Sequence, residues 1–237
     1  MKQKHKQKEE FHSTSDFLER PEALQQEISR TEEFIRTNRT VVFSLGGLCA
    51  LIIAAYFGYK YYNDNQNVAA QREMFQAVRY FEEEDYANAL NGDGNNLGLI
   101  DIMDDYGSTK AANLAQYYTG VIHLKQGEYD EAIDFLGKFS ADDVAVQARA
   151  YALIGDAYME KGDFSEAAKF YSKAADFNAN KFFSPQYLMK NALALEKNGD
   201  LRGAEASYDK IVKEYASAYE YQEARKQKAR LSALASK

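Results

Sequence analysis

Hydrophobic positions follow different patterns in successive parts of the chain. From about Pro21 to Thr37, Leu24, Ile28, Phe34 and Ile35 fall near helical spacing among charges, which predicts an amphipathic helix. From Thr40 to Tyr59 the polar interruptions stop, and twenty residues pass without a formal charge. Beyond Phe75, aromatic and small apolar residues recur on a template broken by glycines. The only prolines are Pro21 and Pro185, so long helices meet little that would break them. The pattern predicts an all-α protein, with one N-terminal transmembrane helix followed by an α-solenoid of helical hairpins.

The charge-free stretch has the length of a membrane span. At about 1.5 Å per residue it crosses a hydrocarbon layer of roughly 30 Å. Arg36, Arg39 and Lys60 frame it, and Tyr56, Tyr59, Tyr61 and Tyr62 gather at one end, where amphipathic rings favour the headgroup zone. A buried core helix would be shorter and less cleanly framed. A cleaved signal peptide fits poorly, because 39 residues precede the run and no small-x-small site follows it. Leu48 before Cys49, mid-span, does not suit a lipoprotein site either. A retained anchor is expected.

Charge sets the expected orientation. Residues 1–40 hold eight basic and eight acidic side chains, so the rest of the chain carries the whole net charge of −7. Eight Lys/Arg precede the span and three lie in residues 60–79, which places the N-terminus in the cytoplasm and the larger part across the membrane. The tip from Lys2 to Lys8 reads as a solvated basic tail, with contact to anionic lipid as the alternative. An acidic chain without a concentrated basic face argues against nucleic-acid binding. The lone Cys49 says nothing of redox compartment.

Internal periodicity organises the remainder. The best copy reads Tyr151-x-x-Ile154-Gly155-x-x-Tyr158, then Gly162-Asp-Phe164-x-x-Ala167, then Tyr171 and Ala174. The copy before it supplies Gly120, Gly127, Tyr129, Ala132, Leu136 and Phe139, and the copy after it Leu188, Ala192, Leu195, Gly199, Leu201, Ala204, Tyr208 and Ile211. The turn glycines Gly127, Gly162 and Gly199 lie 35 and 37 residues apart, close to the roughly 34-residue unit of the tetratricopeptide pattern, which the template resembles closely. Small residues at the eighth and twentieth positions let paired helices approach, and aromatics fill the space between hairpins. No proline ends these copies. A degenerate copy, Phe75 to Ala89, is interrupted at Asn91–Asn96 and followed by a helical run from Leu97 to Tyr106. The expected boundaries are a cytoplasmic segment at 1–39, the span at 40–60, a juxtamembrane linker or helix start at 61–72, the degenerate repeat at 73–108, three repeats at 109–216 and a polar capping helix at 217–237, where solenoids need one.

Candidate chemistry is sparse. Gly92-Asp-Gly94-Asn-Asn-Leu-Gly98 lacks the strand and lysine of a phosphate loop, and Leu97 stands where a calcium loop needs oxygen; a helix break is the better reading. His5, His12 and His123 are scattered, and His123 takes a position where the repeat normally has tyrosine, which suggests helix packing. Asp104/Asp105 and Asp142/Asp143 point to different helix faces. No nucleophile or acid–base set stands out, so no enzyme, metal, cofactor or small-molecule substrate is expected.

In this repeat class the first helix of each hairpin lines an inner groove. Its outward positions here are Leu114, Tyr117, Val121 and Leu124, then Arg149, Ala152, Asp156 and Met159, then Gln186, Met189, Leu193 and Glu196. Aliphatic, Met and Tyr side chains suit an extended or helical apolar peptide. The Lys/Asn set that grips a C-terminal carboxylate in chaperone-binding members of the class is absent, with Ala152 and Asp156 at two of its positions.

The order of parts carries a further resemblance. The charged helix ending Glu33-Phe-Ile-Arg-Thr-Asn38, the Gly-bearing span, the exit Gly58-Tyr-Lys-Tyr-Tyr62 and the repeats resemble the membrane-anchored tetratricopeptide ancillary subunit of the bacterial Sec translocon. Ala89-Leu-Asn-Gly-Asp-Gly94, Asp105-Tyr-Gly-Ser-Thr-Lys110 and Leu114-Ala-Gln-Tyr-Tyr118 look like the version in Bacteroidota-type bacteria. The resemblance implies an inner-membrane protein with a periplasmic repeat domain. It implies partners in the translocon and an isomerase-like membrane chaperone, unfolded client proteins, and no catalysis of its own. A scaffold for envelope assembly or cell division has the same architecture and is the alternative.

Overall fold

The structure is a computed structural model that describes residues 33–141 and 143–235, with the backbone alone at Val144 and Ala235. The basic tip, His5, His12, Asp142 and the residues up to 32 of the expected amphipathic helix lie outside the described residues. The chain divides into two compact units, with the boundary between Tyr61 and Tyr62. Among the described residues every regular element is a helix.

In the first unit, residues 33–37 are helical and α1 (Arg39–Glu82) begins. Phe43, Leu51, Ile52 and Phe57 are all exposed. Among the described residues α1 is the helix long and apolar enough to cross a membrane, and none of its apolar stretch is buried within the protein. A core helix of this hydropathy would be covered by protein; one whose apolar surface is bare on every side fits a single transmembrane helix.

The second unit starts within α1, at Tyr62, and continues through α2 (Tyr86–Asn91), α3 (Leu99–Asp105), α4 (Lys110–Gln126), α5 (Tyr129–Lys138), α6 (Val144–Lys161), α7 (Phe164–Asp176), α8 (Ser184–Lys197), α9 (Leu201–Glu214) and α10 (Tyr221–Ala235). The last turns of α1 pack with α2, α3 and α4 around Met74, Ala77, Leu90, Leu99, Ile102 and Ile122. Asn67 on α1 accepts from the Ala111 N–H at 2.9 Å, satisfying one of the free amides at the start of α4. A second apolar cluster runs from Ala148 and Tyr171 through Tyr187, Tyr208 and Ile211 to Ala224 and Leu231 on α10.

The hairpins close by one recurrent turn. In α4–α5, α6–α7 and α8–α9, Gly127, Gly162 and Gly199 take left-handed φ values of 81°, 78° and 82°. The following residue donates its N–H five residues back, Glu128 to His123, Asp163 to Tyr158 and Asp200 to Leu195, the six-to-one bond of a Schellman ending. The turn from α1 to α2 has the same bond, Asp85 to Tyr80, but its left-handed residue is Glu84, at φ 60°. Asp85, Asp163 and Asp200 then cap the next helix, each accepting a backbone N–H three residues on. Glu128 makes no cap; its carboxylate instead meets His123 Nδ1.

Small residues stand where helices cross closely. A Cβ on Gly120 would lie 2.6 Å from Leu136 Cγ, and one on Gly155 would lie 2.7 Å from the Tyr171 ring. Ala132, Ala167, Ala192 and Ala204 are fully buried, and Ala174 nearly so. Tyr158 stacks on Phe170, and His123 stacks on Phe135 at 5.3 Å, so the imidazole fills the tyrosine's place. Tyr151 meets Phe177 edge-on at 5.8 Å.

The segment after α2 is held by Asp93. Its carboxylate accepts from the Tyr80 hydroxyl (2.6 Å), the Asn95 and Asn96 N–H groups (2.8 and 2.7 Å) and Asn96 Nδ2 (2.9 Å). These bonds, the Tyr80 hydroxyl first, hold the carboxyl well below the usual range. Gly92 and Gly98 pass so close that a Cβ on Gly98 would lie 2.5 Å from the Gly92 nitrogen, and 2.2 Å from the Leu90 carbonyl oxygen.

Candidate peptide-binding groove

The first helices of the three hairpins, α4, α6 and α8, enclose two adjoining cavities. The larger, about 700 Å3, is lined by Leu114, Tyr117 and Tyr118 from α4 and by Ala145, Val146, Arg149, Ala152, Leu153 and Asp156 from α6. Phe183, Gln186, Tyr187 and Lys190 close it from the α8 side. The second, about 590 Å3, is lined by Leu124, Met159, Glu160 and Leu193, with Tyr129 and Tyr171 from the second helices. Asp156 and Lys190 belong to both.

Eight of the positions named from the sequence template, with Ala152, therefore line these cavities: Leu114, Tyr117, Arg149 and Gln186 in the first, Leu124, Met159 and Leu193 in the second, and Asp156 in both. Val121, Met189 and Glu196 line neither. Met189 is half-buried against the C-terminal cluster, and Glu196 is engaged by the Tyr208 hydroxyl and by Arg230. Lys190, Tyr187, Phe183 and Tyr118 are among the groove residues that the template misses. Gln186, Lys190 and Leu193 fall at i, i+4 and i+7, one helical stripe, and following that stripe would have found Lys190.

The groove's electrostatics divide at Asp156. Lys190 Nζ donates to both of its oxygens, and the Tyr171 hydroxyl donates to Oδ1 at 2.6 Å. Burial, and then this bond, push the Tyr171 hydroxyl far above its ordinary value. Arg149 is different: it is exposed and has no ion-pair partner among the described residues. Burial raises the Tyr117 and Tyr187 hydroxyls, and the Arg149 guanidinium pulls each part of the way back. The cation therefore lies near a tyrosine hydroxyl of each neighbouring helix, Tyr117 on α4 and Tyr187 on α8.

Family models described as tetratricopeptide repeat match residues 105–143 and 148–181, and the second match runs along the α6–α7 hairpin. The chain carries tetratricopeptide repeats. The chain is similar to Superkiller complex protein 3 of Mus musculus, 27% identical over 118 residues, 49% of this chain and 7% of that protein. It is similar also to Tetratricopeptide repeat protein 29 of Macaca fascicularis, 25% identical over 125 residues, 51% of this chain and 26% of that protein. The chain thus matches only a small part of the length of these relatives. The tetratricopeptide fold is typically a non-catalytic protein-interaction fold. Among the described residues no group of three or more His, Cys, Asp and Glu side chains could hold a metal ion.

Proposed function

We propose that this protein is a non-catalytic, membrane-anchored binding subunit that receives a segment of a partner protein along the groove of α4, α6 and α8. The observation that carries this reading is the shared line of Leu114, Tyr117, Leu124, Met159 and Leu193 across successive hairpins. Such a surface offers apolar and aromatic contact to an unfolded or extended chain. The bare apolar stretch of α1 supports the anchor.

The resemblance of the anchor and the interrupted first repeat to the Sec ancillary subunit gives the finer reading. In it the protein sits in a bacterial inner membrane with the N-terminus cytoplasmic and the repeats periplasmic. It binds the translocon and an isomerase-like membrane chaperone, and helps to receive emerging envelope proteins. The charge bias across the span supports that orientation.

Affinity purification of the full chain in mild detergent tests both levels. Translocon subunits and an isomerase-like chaperone should co-purify, and Met159→Glu with Leu193→Glu should release groove-bound client while the anchor stays in the membrane. Absence of translocon subunits would sink the finer reading. Recovery of a peptidoglycan synthase in their place would favour a scaffold for envelope assembly. A reporter fused after Lys237 and active only in the cytoplasm would overturn the orientation.

A further inference from the structure

Arg149 is a cation inside a groove of an acidic protein, with no ion-pair partner among the described residues. The chain carries a net charge of −7, yet the groove carboxylate nearest in sequence on α6, Asp156, is committed to Lys190 and Tyr171. A guanidinium matches a carboxylate with two parallel hydrogen bonds. Tyr117, Tyr118, Phe183 and Tyr187 line the same cavity, so a carboxylate bound there would pair with the guanidinium beside apolar surface.

From this geometry we infer that the groove reads an internal acidic side chain of a bound extended peptide, Asp or Glu, through Arg149. The inference rests on the groove reading above and narrows it. A side chain is preferred to a chain end because the first cavity continues on both sides of Arg149, to Ala145 and Val146 one way and to Asp156 the other. A peptide can therefore pass over the cation in both directions. The second cavity adds a spacing. Met159 lies ten positions beyond Arg149 on α6, about 15 Å along a helix. An extended chain covers that in about four or five residues. The preferred segment places an acidic residue about four positions from a Leu, Met or Phe that reaches Met159 and Leu193.

The test uses the full chain in detergent micelles and short fluorescein-labelled peptides, amidated at the C-terminus, in a Gly/Ser background. One peptide carries Glu and Leu at that spacing, one replaces Glu by Gln, and one carries Gln with a free C-terminal carboxylate. Fluorescence anisotropy should show the Glu peptide binding about tenfold tighter than the Gln peptide. In Arg149→Gln the two should bind alike, at the Gln peptide's affinity. Arg149 is exposed, so unchanged circular dichroism should confirm that the variant folds.

Equal binding of Glu and Gln peptides to the native chain, with both lost in Leu193→Glu, would overturn the acidic preference and leave the groove standing. Tightest binding by the free-carboxylate peptide would overturn the internal-residue assignment. No binding by any peptide would overturn this inference together with the groove.

Discussion

Lys190 reaches back 34 residues to Asp156, placing its ammonium 2.7 and 2.9 Å from the two carboxylate oxygens. The same separation recurs between Lys210 and Asp176, at 2.8 Å, and between Arg230 and Glu196. Each cation stands 34 residues beyond its acid, so the first two pairs tie one hairpin to the next and the third ties the last hairpin to α10. Tyrosines complete two of them: Tyr171 donates to Asp156, and Tyr208 to Glu196. The partners are roughly a third exposed or more in the Lys190–Asp156 pair, and such pairs contribute only about 0–1 kcal/mol. They set the register of the stack more than its stability.

Removing the tyrosine hydroxyls separates the two effects. Burial first, then the carboxylate bonds, raise the Tyr171 and Tyr208 hydroxyls above their ordinary range. A raised folded-state value contributes stability that is present below the unfolded tyrosine value, about 10. That contribution is lost as pH climbs toward the folded value, because the unfolded chain then binds fewer protons. Urea melts should show stability falling above about pH 10. Tyr171→Phe with Tyr208→Phe should cost about 1–2 kcal/mol near neutrality and flatten the alkaline fall.

Alanine substitution should have opposite signs at two helical glycines. At Gly155 a new Cβ meets the Tyr171 ring at 2.7 Å, so Gly155→Ala should cost about 1–3 kcal/mol through overpacking. At Gly137 on α5 nothing lies within 4 Å of that position, so Gly137→Ala should gain up to about 0.5–1 kcal/mol in helix propensity. Denaturant midpoints of the two variants decide it.

The left-handed turns allow a reciprocal exchange. Glu84 holds at φ 60° a conformation that glycine adopts in the other three hairpins, and a side chain there costs about 1–2 kcal/mol. Glycine's extra freedom in the unfolded chain offsets part of this, so Glu84→Gly should gain about 0.5 kcal/mol. Gly162→Ala, at φ 78°, should lose about 1 kcal/mol. Thermal melts in detergent would read both shifts, and a loss at Glu84→Gly would contradict the argument.

Membrane retention depends on the bare face of α1. Leu51 is 70% exposed in the middle of the charge-free run, and a central arginine opposes insertion by about 2.5–3.5 kcal/mol. Leu51→Arg should move a large fraction of the protein into the alkaline-carbonate supernatant. Unchanged extraction would mean that α1 does not hold the chain.

Much of this fold is legible in the residues because backbone demands are local. The charge-free run and Gly127, Gly162 and Gly199 declare themselves by length and spacing, and the small residues Gly120 and Gly155 by their place in the template. Glu84 hides its turn, since a non-glycine residue in the left-handed region leaves no compositional mark. The groove is only half legible. A template names outward positions such as Glu196, but long side chains on the next repeat decide which of them remain available, and Arg230 occupies Glu196. Phe183 enters from the connection between α7 and α8, and no spacing rule anticipates it; Lys190 lies on the α8 stripe that the outward positions Gln186 and Leu193 already mark.

The Asp93 segment has one more consequence. A glycine-rich stretch with Asp and Asn invites a scan for ion-binding loops, yet four internal donors already occupy this carboxylate. A cation arriving there would have to evict the backbone that shapes the loop. The segment closes on itself, and neither calcium nor a chelator should change its conformation.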